Sequence, residues 1–305
     1  MTRTNWPTST LFGRHMEQRF PNWQALRGIP TGATSTSPDG TLTFNEIRLV
    51  GGAPLLVPEA RGSSLVGDTI HVLLQLRYTG IDWKRDGSRF GRDDVRRIIG
   101  QTGPDPVWQT IRQRVDSLLP FLQHPQMEQL DTEEAVRLAA VIGLHNAVNI
   151  RKLPVGLLAE NPRADLDELL AVASDEQVEA TAKMLHLAAD RLPDPHQVGH
   201  AYSSVSTYAG RADLLLDGTL LEVKAIAPRG RAPMINREYA YQLLWYLLTL
   251  DPRVVGTVGG VREVGWYYAR HGLLWVRSAD EFLSVMAGRT VVLAEAIAEA
   301  DTLHG

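Results

Sequence analysis

An Asp-Gly pair at positions 217 and 218 separates two short apolar runs and constrains the local fold more than any other stretch of the chain. The run before it ends in three leucines, and the run after it is Thr-Leu-Leu-Glu-Val-Lys. A two-residue type I′ turn needs a positive φ at both central positions, and Asp-Gly meets that need better than most pairs. We therefore expect Asp217 and Gly218 to form the turn of a β-hairpin.

The turn also predicts the register of the hairpin. Counting outward from it gives four opposed pairs: Leu216 with Thr219, Leu215 with Leu220, Leu214 with Leu221, and Asp213 with Glu222. Side chains alternate between the two faces of a strand, so Glu222 and Lys224 should point to the same face. Opposed residues have Cβ atoms roughly 5 Å apart. We expect Asp213, Glu222 and Lys224 to form one patch at the open end of the hairpin.

Two opposed carboxylates repel each other unless a cation or a proton lies between them. A hard divalent cation, Mg²⁺ or Mn²⁺, suits Asp213 and Glu222, with the ammonium group of Lys224 beside it. The simpler interpretation is a surface hairpin with an ordinary cross-strand ion pair. The flanking runs are too apolar for that, and charged groups on strands buried on both faces need a compensating partner. The pattern therefore favours a metal site.

Composition excludes several other kinds of site. The 305 residues include no cysteine, which rules out disulfides, zinc–thiolate sites and cysteine catalysis, and fits a cytoplasmic location. No signal peptide and no membrane-spanning run is evident, so we expect no membrane partner. The formal net charge of −4 gives no global attraction to nucleic acid, so such binding would need local basic surface.

The order of predicted elements from residue 175 onward is α-β-β-β-α-β-β-α. The last of these helices should span about 279–300. Before residue 175, the pattern predicts a strand over residues 68–78, weaker strands over 44–50 and 54–58, and helices over 106–122, 132–150 and 165–173. We therefore divide the chain into an N-terminal region of mixed β and helical structure, residues 1–160, which contributes to substrate recognition, and a core, residues 161–305.

Residues 175–280 resemble the PD-(D/E)XK nuclease superfamily, and specifically its RecB-like branch. The elements that carry the resemblance are Gly210-x-x-Asp213, then Glu222-Val223-Lys224, then Gln242-x-x-x-Tyr246 on the next helix. Ala212 stands where many members have proline. The resemblance implies an α/β, restriction-endonuclease-like core: a mixed central sheet flanked by helices, in αβββαβ order, preceded here by the largely helical N-terminal region.

The resemblance also implies roles for these residues. Asp213, Glu222 and the carbonyl group of Val223 would bind Mg²⁺. Lys224 would orient or help to deprotonate the attacking water and stabilise charge in the transition state. The branch often has a further metal ligand upstream, and three residues are candidates: Glu179, His196 and His200.

Side chains around the proposed site extend it. Gln242 and Tyr246 are spaced i, i+4 and share a helix face, and the resemblance implies that they contact the site or DNA from that face. Arg229, Arg231 and Arg237 follow the Glu-x-Lys strand and suit either phosphate contacts or loop solubility.

The function expected from these features is a Mg²⁺-dependent DNA nuclease that acts through metal-activated water, in DNA repair or in defence against foreign DNA, with RNA as the other candidate substrate. The alternative is a nuclease-like module that binds nucleic acid or a protein without cutting it.

Overall fold

The computed structural model describes residues 11–26, 55–58, 63–80, 106–124, 129–151, 164–207, 210–225, 235 and 237–304. Within these ranges the protein is an α/β structure in which helices flank one five-stranded mixed sheet. The strands are β1 Ala201–Thr207, β2 Gly210–Leu216, β3 Thr219–Lys224, β4 Glu263–Tyr268 and β5 Leu273–Ser278. They lie in sequence order across the sheet, and every neighbouring pair is antiparallel except β3 and β4, which are parallel.

The predicted hairpin is confirmed as the β2–β3 unit. Asp217 and Gly218 have φ angles of 45° and 86°, as a type I′ turn requires. Three of the four predicted pairs are formed as backbone partners: Leu216 with Thr219, Leu215 with Leu220, and Leu214 with Leu221. The pairing ends at Leu214 and Leu221, so Asp213 and Glu222 are not backbone partners.

Helices make up most of the rest of the described chain. They are α1 Leu11–Arg19, α2 Ser63–Thr79, α3 Pro106–Leu122, α4 Gln129–Arg151, α5 Leu166–Leu170, α6 Asp175–Arg191, α7 Arg237–Thr249, α8 Pro252–Thr257, α9 Ala279–Ala287 and α10 Leu293–His304. None of them is both long enough and apolar enough to cross a lipid bilayer, within the ranges described.

The element order from residue 175 onward agrees with the prediction, with two differences. A short helix, α8, follows α7, and Asp251 caps its first turn. The predicted closing helix over 279–300 is two helices, because Gly288 adopts a left-handed φ of 68° at the end of α9. A Cβ atom at Gly288 would lie 2.3 Å from the side-chain nitrogen of Asn22, so a larger residue there would also displace the Asn22 side chain.

The strand predicted over residues 68–78 was wrong, because these residues form most of helix α2. Residues 72–78 are all buried, including Gln75 and Arg77. A helix that is buried on nearly all sides lacks a wide polar face, and the few polar residues within 68–78 do not form one, so periodicity did not distinguish this helix from a buried strand. Of the two weaker predictions, 44–50 lies outside the described residues. Residues 55–58 form no strand, although the amides of Leu56 and Val57 donate to the carbonyl oxygen of Arg270.

Two hydrophobic cores lie against the sheet, one on each face. The first joins the sheet to α2, α3, α4 and α6 through Leu73, Ile111, Leu138, Met184, Leu214 and Leu221. The second joins it to α1, α7, α9 and α10 through Phe20, Leu243, Phe282, Ala296, Leu215 and Leu220. Helix α2, from the N-terminal half of the chain, packs directly on β1 and β2. The predicted boundary at residue 160 lies outside the described residues.

Candidate active site

The polar site begins where strands β2 and β3 separate. Asp213 lies one residue beyond the last pair of the ladder. Its Oδ2 atom accepts a hydrogen bond from the backbone amide of Val223 at 2.7 Å. A side-chain oxygen therefore satisfies an amide that a continuous ladder would have paired with backbone, and the carboxylate is fixed beside β3.

Glu222 and Lys224 form a buried ion pair on β3. Their side chains are 6% and 10% exposed, and Nζ of Lys224 donates to Oε1 of Glu222 at 2.9 Å. The other carboxylate oxygen of Glu222, Oε2, is buried and has no hydrogen-bond partner among the described residues. A buried carboxylate oxygen without a partner is costly. Its position marks a place for a further cation or proton.

Helix α7 brings two more predicted residues to this ion pair. Nζ of Lys224 donates to Oε1 of Gln242 at 2.7 Å, and Nε2 of Gln242 donates to the hydroxyl oxygen of Tyr246 at 3.0 Å. Gln242 and Tyr246 share one face because four residues complete about one helical turn. The result is a continuous chain of contacts from Glu222 through Lys224 and Gln242 to Tyr246.

Sequence reasoning missed His71, which α2 places at the same site. Its Nε2 atom lies 3.1 Å from the carbonyl oxygen of Val223, and its Nδ1 atom lies 3.4 Å from Oδ1 of Asp213. His71 thus contacts two of the three predicted metal ligands. Assigning residues 68–78 to a helix would have made His71 a candidate, but nothing local to α2 indicates which strand it packs against.

The three upstream candidates lie elsewhere. His200 is exposed beside the hairpin turn, with Nδ1 3.8 Å from Oδ1 of Asp217, at the opposite end of the hairpin from Asp213. Glu179 pairs with Lys183 on the exposed face of α6. His196 is also exposed, in the turn that follows α6. Within the described chain, His71 is the histidine that contacts the site.

The structure describes one of the three arginines proposed for nucleic-acid binding, Arg237. Arg229 and Arg231 lie outside the described residues. Arg237, the first residue of α7, donates to Oε1 of Glu17 on α1, and its guanidinium carbon lies 5.6 Å from the centre of the Tyr241 ring. Its contacts therefore join α7 to α1.

Burial and the closeness of the charged groups control protonation at the site. Burial raises the pKa of Glu222 to about 7, with a further contribution from the negative charge of Asp213. Burial also raises the pKa of Asp213 and lowers the pKa of His71. For Lys224, burial alone would lower the pKa, but the carboxylates of Glu222 and Asp213 outweigh it and the net direction is upward. The ionised carboxylates therefore favour the charged form of Lys224, while burial disfavours the charged forms of the two carboxyl groups.

The described residues do not contain a group of three or more His, Asp or Glu side chains already arranged around a metal position. The potential donors at the site are the carboxylates of Asp213 and Glu222, the Val223 carbonyl group and the imidazole of His71, which contacts Asp213 and Val223. Oxygen donors of this kind suit Mg²⁺ and Mn²⁺. Oε2 of Glu222 is buried and has no hydrogen-bond partner among the described residues, and burial raises the pKa of both carboxyl groups, so a nearby cation would stabilise their charged forms. The residues present therefore fit such an ion.

Comparison of the chain with protein-family models, with curated proteins and with solved structures finds no match.

Proposed function

We propose that this protein is a divalent-metal-dependent nuclease that hydrolyses phosphodiester bonds in DNA, built on a restriction-endonuclease-like core. The observation that carries the proposal is the meeting of Asp213, Glu222, Lys224 and Gln242 at one buried site, with an oxygen of Glu222 left without a partner. These residues come from two strands and the following helix. The β-β-β-α-β order around the site, with a helix packed on its first two strands, supports the same core.

Asp213, Glu222 and the carbonyl group of Val223 would hold the metal ion, with His71 as a further ligand. When bound, Mg²⁺ or Mn²⁺ would supply Lewis-acid stabilisation of phosphate charge and a more acidic water. Because hard cations prefer oxygen donors, the two carboxylates favour Mg²⁺ or Mn²⁺ over softer metal ions.

Lys224 acts in this proposal as a fixed positive charge. Its ammonium group is held by Glu222 and Gln242 and its pKa is raised, so it is poorly suited to accept a proton. Placed beside the scissile phosphate, it would stabilise the negative charge that grows in the transition state. Gln242 orients this ammonium group, and the hydroxyl group of Tyr246 in turn orients the Gln242 amide.

The test is a cleavage assay on linear, circular and single-stranded DNA and on RNA, with Mg²⁺, with Mn²⁺ and with a chelator. We expect cleavage of DNA that requires metal and is lost in Asp213→Ala and Lys224→Ala. Lys183→Ala is the matched control, because Lys183 is an exposed lysine paired with Glu179 on α6. Circular dichroism of each variant checks that the fold is retained.

Two results would contradict the proposal. Undiminished metal-dependent cleavage in both site variants would rule out the mechanism. Tight binding of DNA by the wild-type protein without cleavage under any metal condition would instead support a nuclease-like binding module. Calorimetric titration with Mn²⁺, in the same samples, shows whether the metal itself is bound.

A further inference from the structure

Tyr239 lies on the face of α7 that carries Gln242 and Tyr246. The three residues are spaced i, i+3 and i+7, so their side chains form one row along the helix. The centre of the Tyr239 ring is 4.3 Å from Nζ of Lys224. That distance is well inside the range of about 6 Å within which the negative face of an aromatic ring attracts a cation.

Three contacts hold the ammonium group of Lys224, whose side chain is 10% exposed. The group has three N–H donors. One is directed to Oε1 of Glu222 at 2.9 Å and one to Oε1 of Gln242 at 2.7 Å. The Tyr239 ring is the third contact. Lys224 has a long side chain with four rotatable bonds, so three simultaneous contacts are what hold its charge in one place.

We propose that Tyr239 is a positioning residue that holds the ammonium group of Lys224 in its working orientation through the face of its ring. The proposal rests on the proposed nuclease function, because it assigns Tyr239 to the charge that acts on the phosphate. The proposal assigns the contact with Lys224 to the aromatic ring of Tyr239 and not to its hydroxyl group. A phenylalanine at position 239 should therefore preserve the function of Tyr239, whereas an aliphatic side chain should lose it.

The neighbouring residue Tyr241 shows that this contact is specific to one helix face. The hydroxyl group of Tyr241 donates to the carbonyl oxygen of Phe20 at 2.8 Å, on the side of α7 that packs on the N-terminal segment. Tyr241 thus offers a tyrosine of the same helix that does not contact Lys224 and serves as a matched control.

The first experiment compares the steady-state kinetics of Tyr239→Leu, Tyr239→Phe and Tyr241→Phe. We expect kcat to fall about tenfold in Tyr239→Leu, with KM almost unchanged, because the charge of Lys224 is needed more in the transition state than in substrate binding. Tyr239→Phe should stay within about twofold of the wild type, since the ring is retained. Tyr241→Phe should leave kcat unchanged.

The second experiment needs no nuclease activity. Reductive methylation with formaldehyde and a borane, followed by peptide mass spectrometry, measures how fast Lys224 is modified. We expect slow methylation in the wild type, in Tyr239→Phe and in Tyr241→Phe, and methylation several-fold faster in Tyr239→Leu, where one side of the ammonium group is uncovered. Should Tyr239→Leu fail to fold, Tyr239→Met carries the same expectations, because it fills the space without a ring.

Two outcomes would overturn the role of Tyr239. One is a methylation rate and a kcat for the leucine variant that both equal those of the wild type. The other is a phenylalanine variant that is as impaired as the leucine variant, since that would assign the effect to the hydroxyl group. Failure of the nuclease proposal is recognised separately, because the wild type itself would then show no metal-dependent cleavage while the methylation rates still report the contact.

Discussion

The Nε2 atom of His71 lies 3.1 Å from the carbonyl oxygen of Val223, although 152 residues separate the two in the chain. The same imidazole ring places Nδ1 3.4 Å from Oδ1 of Asp213. Helix α2 therefore belongs to the candidate site as much as the hairpin does. Its packing on β1 and β2 is what delivers the histidine.

Replacing His71 by Ala should weaken Mn²⁺ binding about tenfold or more and lower cleavage to a similar extent, because the site loses a donor next to Asp213 and Val223. Isothermal titration calorimetry measures the affinity. His196→Ala is the control, since His196 is exposed in the turn after α6. Equal affinities for the wild type and the His71 variant would remove His71 from the site.

The raised pKa of Glu222 should make the stability of the metal-free protein depend on pH. Its pKa is raised from 4.5 to about 7, so between these values the folded state holds a proton that the unfolded state has lost. Stability should therefore fall as the pH rises from about 4.5 to about 7 and stay lower above it, by on the order of 3 kcal/mol. Urea unfolding in chelator at pH 5 and pH 8 measures this change.

Two comparisons assign that pH dependence to Glu222. Glu222→Gln should flatten it and be the more stable form at pH 8, because glutamine has no proton to lose. Added Mn²⁺ should restore stability at pH 8 in the wild type but much less in Glu222→Gln. A variant with the same slope as the wild type would show that another group is responsible.

Replacing Gly210 by Ala should disturb Tyr246. A Cβ atom at Gly210 would lie 3.3 Å from the hydroxyl oxygen of Tyr246, which is closer than ordinary contact. The hydroxyl group would have to move, and with it the hydrogen bond that orients Gln242. We expect cleavage to fall about tenfold, in line with loss of a positioning contact, while the helical signal in circular dichroism is kept.

Gly256→Ala is the matched glycine control. It lies within α8, and a Cβ atom there would meet nothing within 4 Å. Alanine should leave cleavage unchanged and raise stability by about 0.5–1 kcal/mol, because alanine favours the helix. A loss of activity in Gly256→Ala similar to that in Gly210→Ala would attribute the effect to glycine replacement in general.

Arg237→Ala should behave as the loss of an ion pair between α1 and α7. Arg237 and Glu17 are partly exposed, so each single alanine variant should lower stability by about 0–1 kcal/mol, and the double variant should lose little more than either. Urea unfolding of the four proteins measures the coupling. DNA binding that weakens in Arg237→Ala but not in Glu17→Ala would instead support the phosphate contact expected from the sequence.

The sequence by itself determined the local geometry of the site. Asp217 and Gly218 specified the turn because few other residue pairs accept a positive φ at both positions, and the turn then set the register of β2 and β3. The spacing of Gln242 and Tyr246 put both on one face because it matches the helical repeat. These features depend on interactions between residues close together in the chain.

Only the tertiary structure decided the rest. Residues 68–78 form most of helix α2 and are largely buried, so the wide polar face that usually distinguishes a helix from a strand is missing from their sequence. His71 joins the site, and Arg237 faces Glu17, through contacts between segments that are 152 and 220 residues apart. Contacts over such separations depend on how whole helices pack on the sheet, which no local pattern of residues encodes.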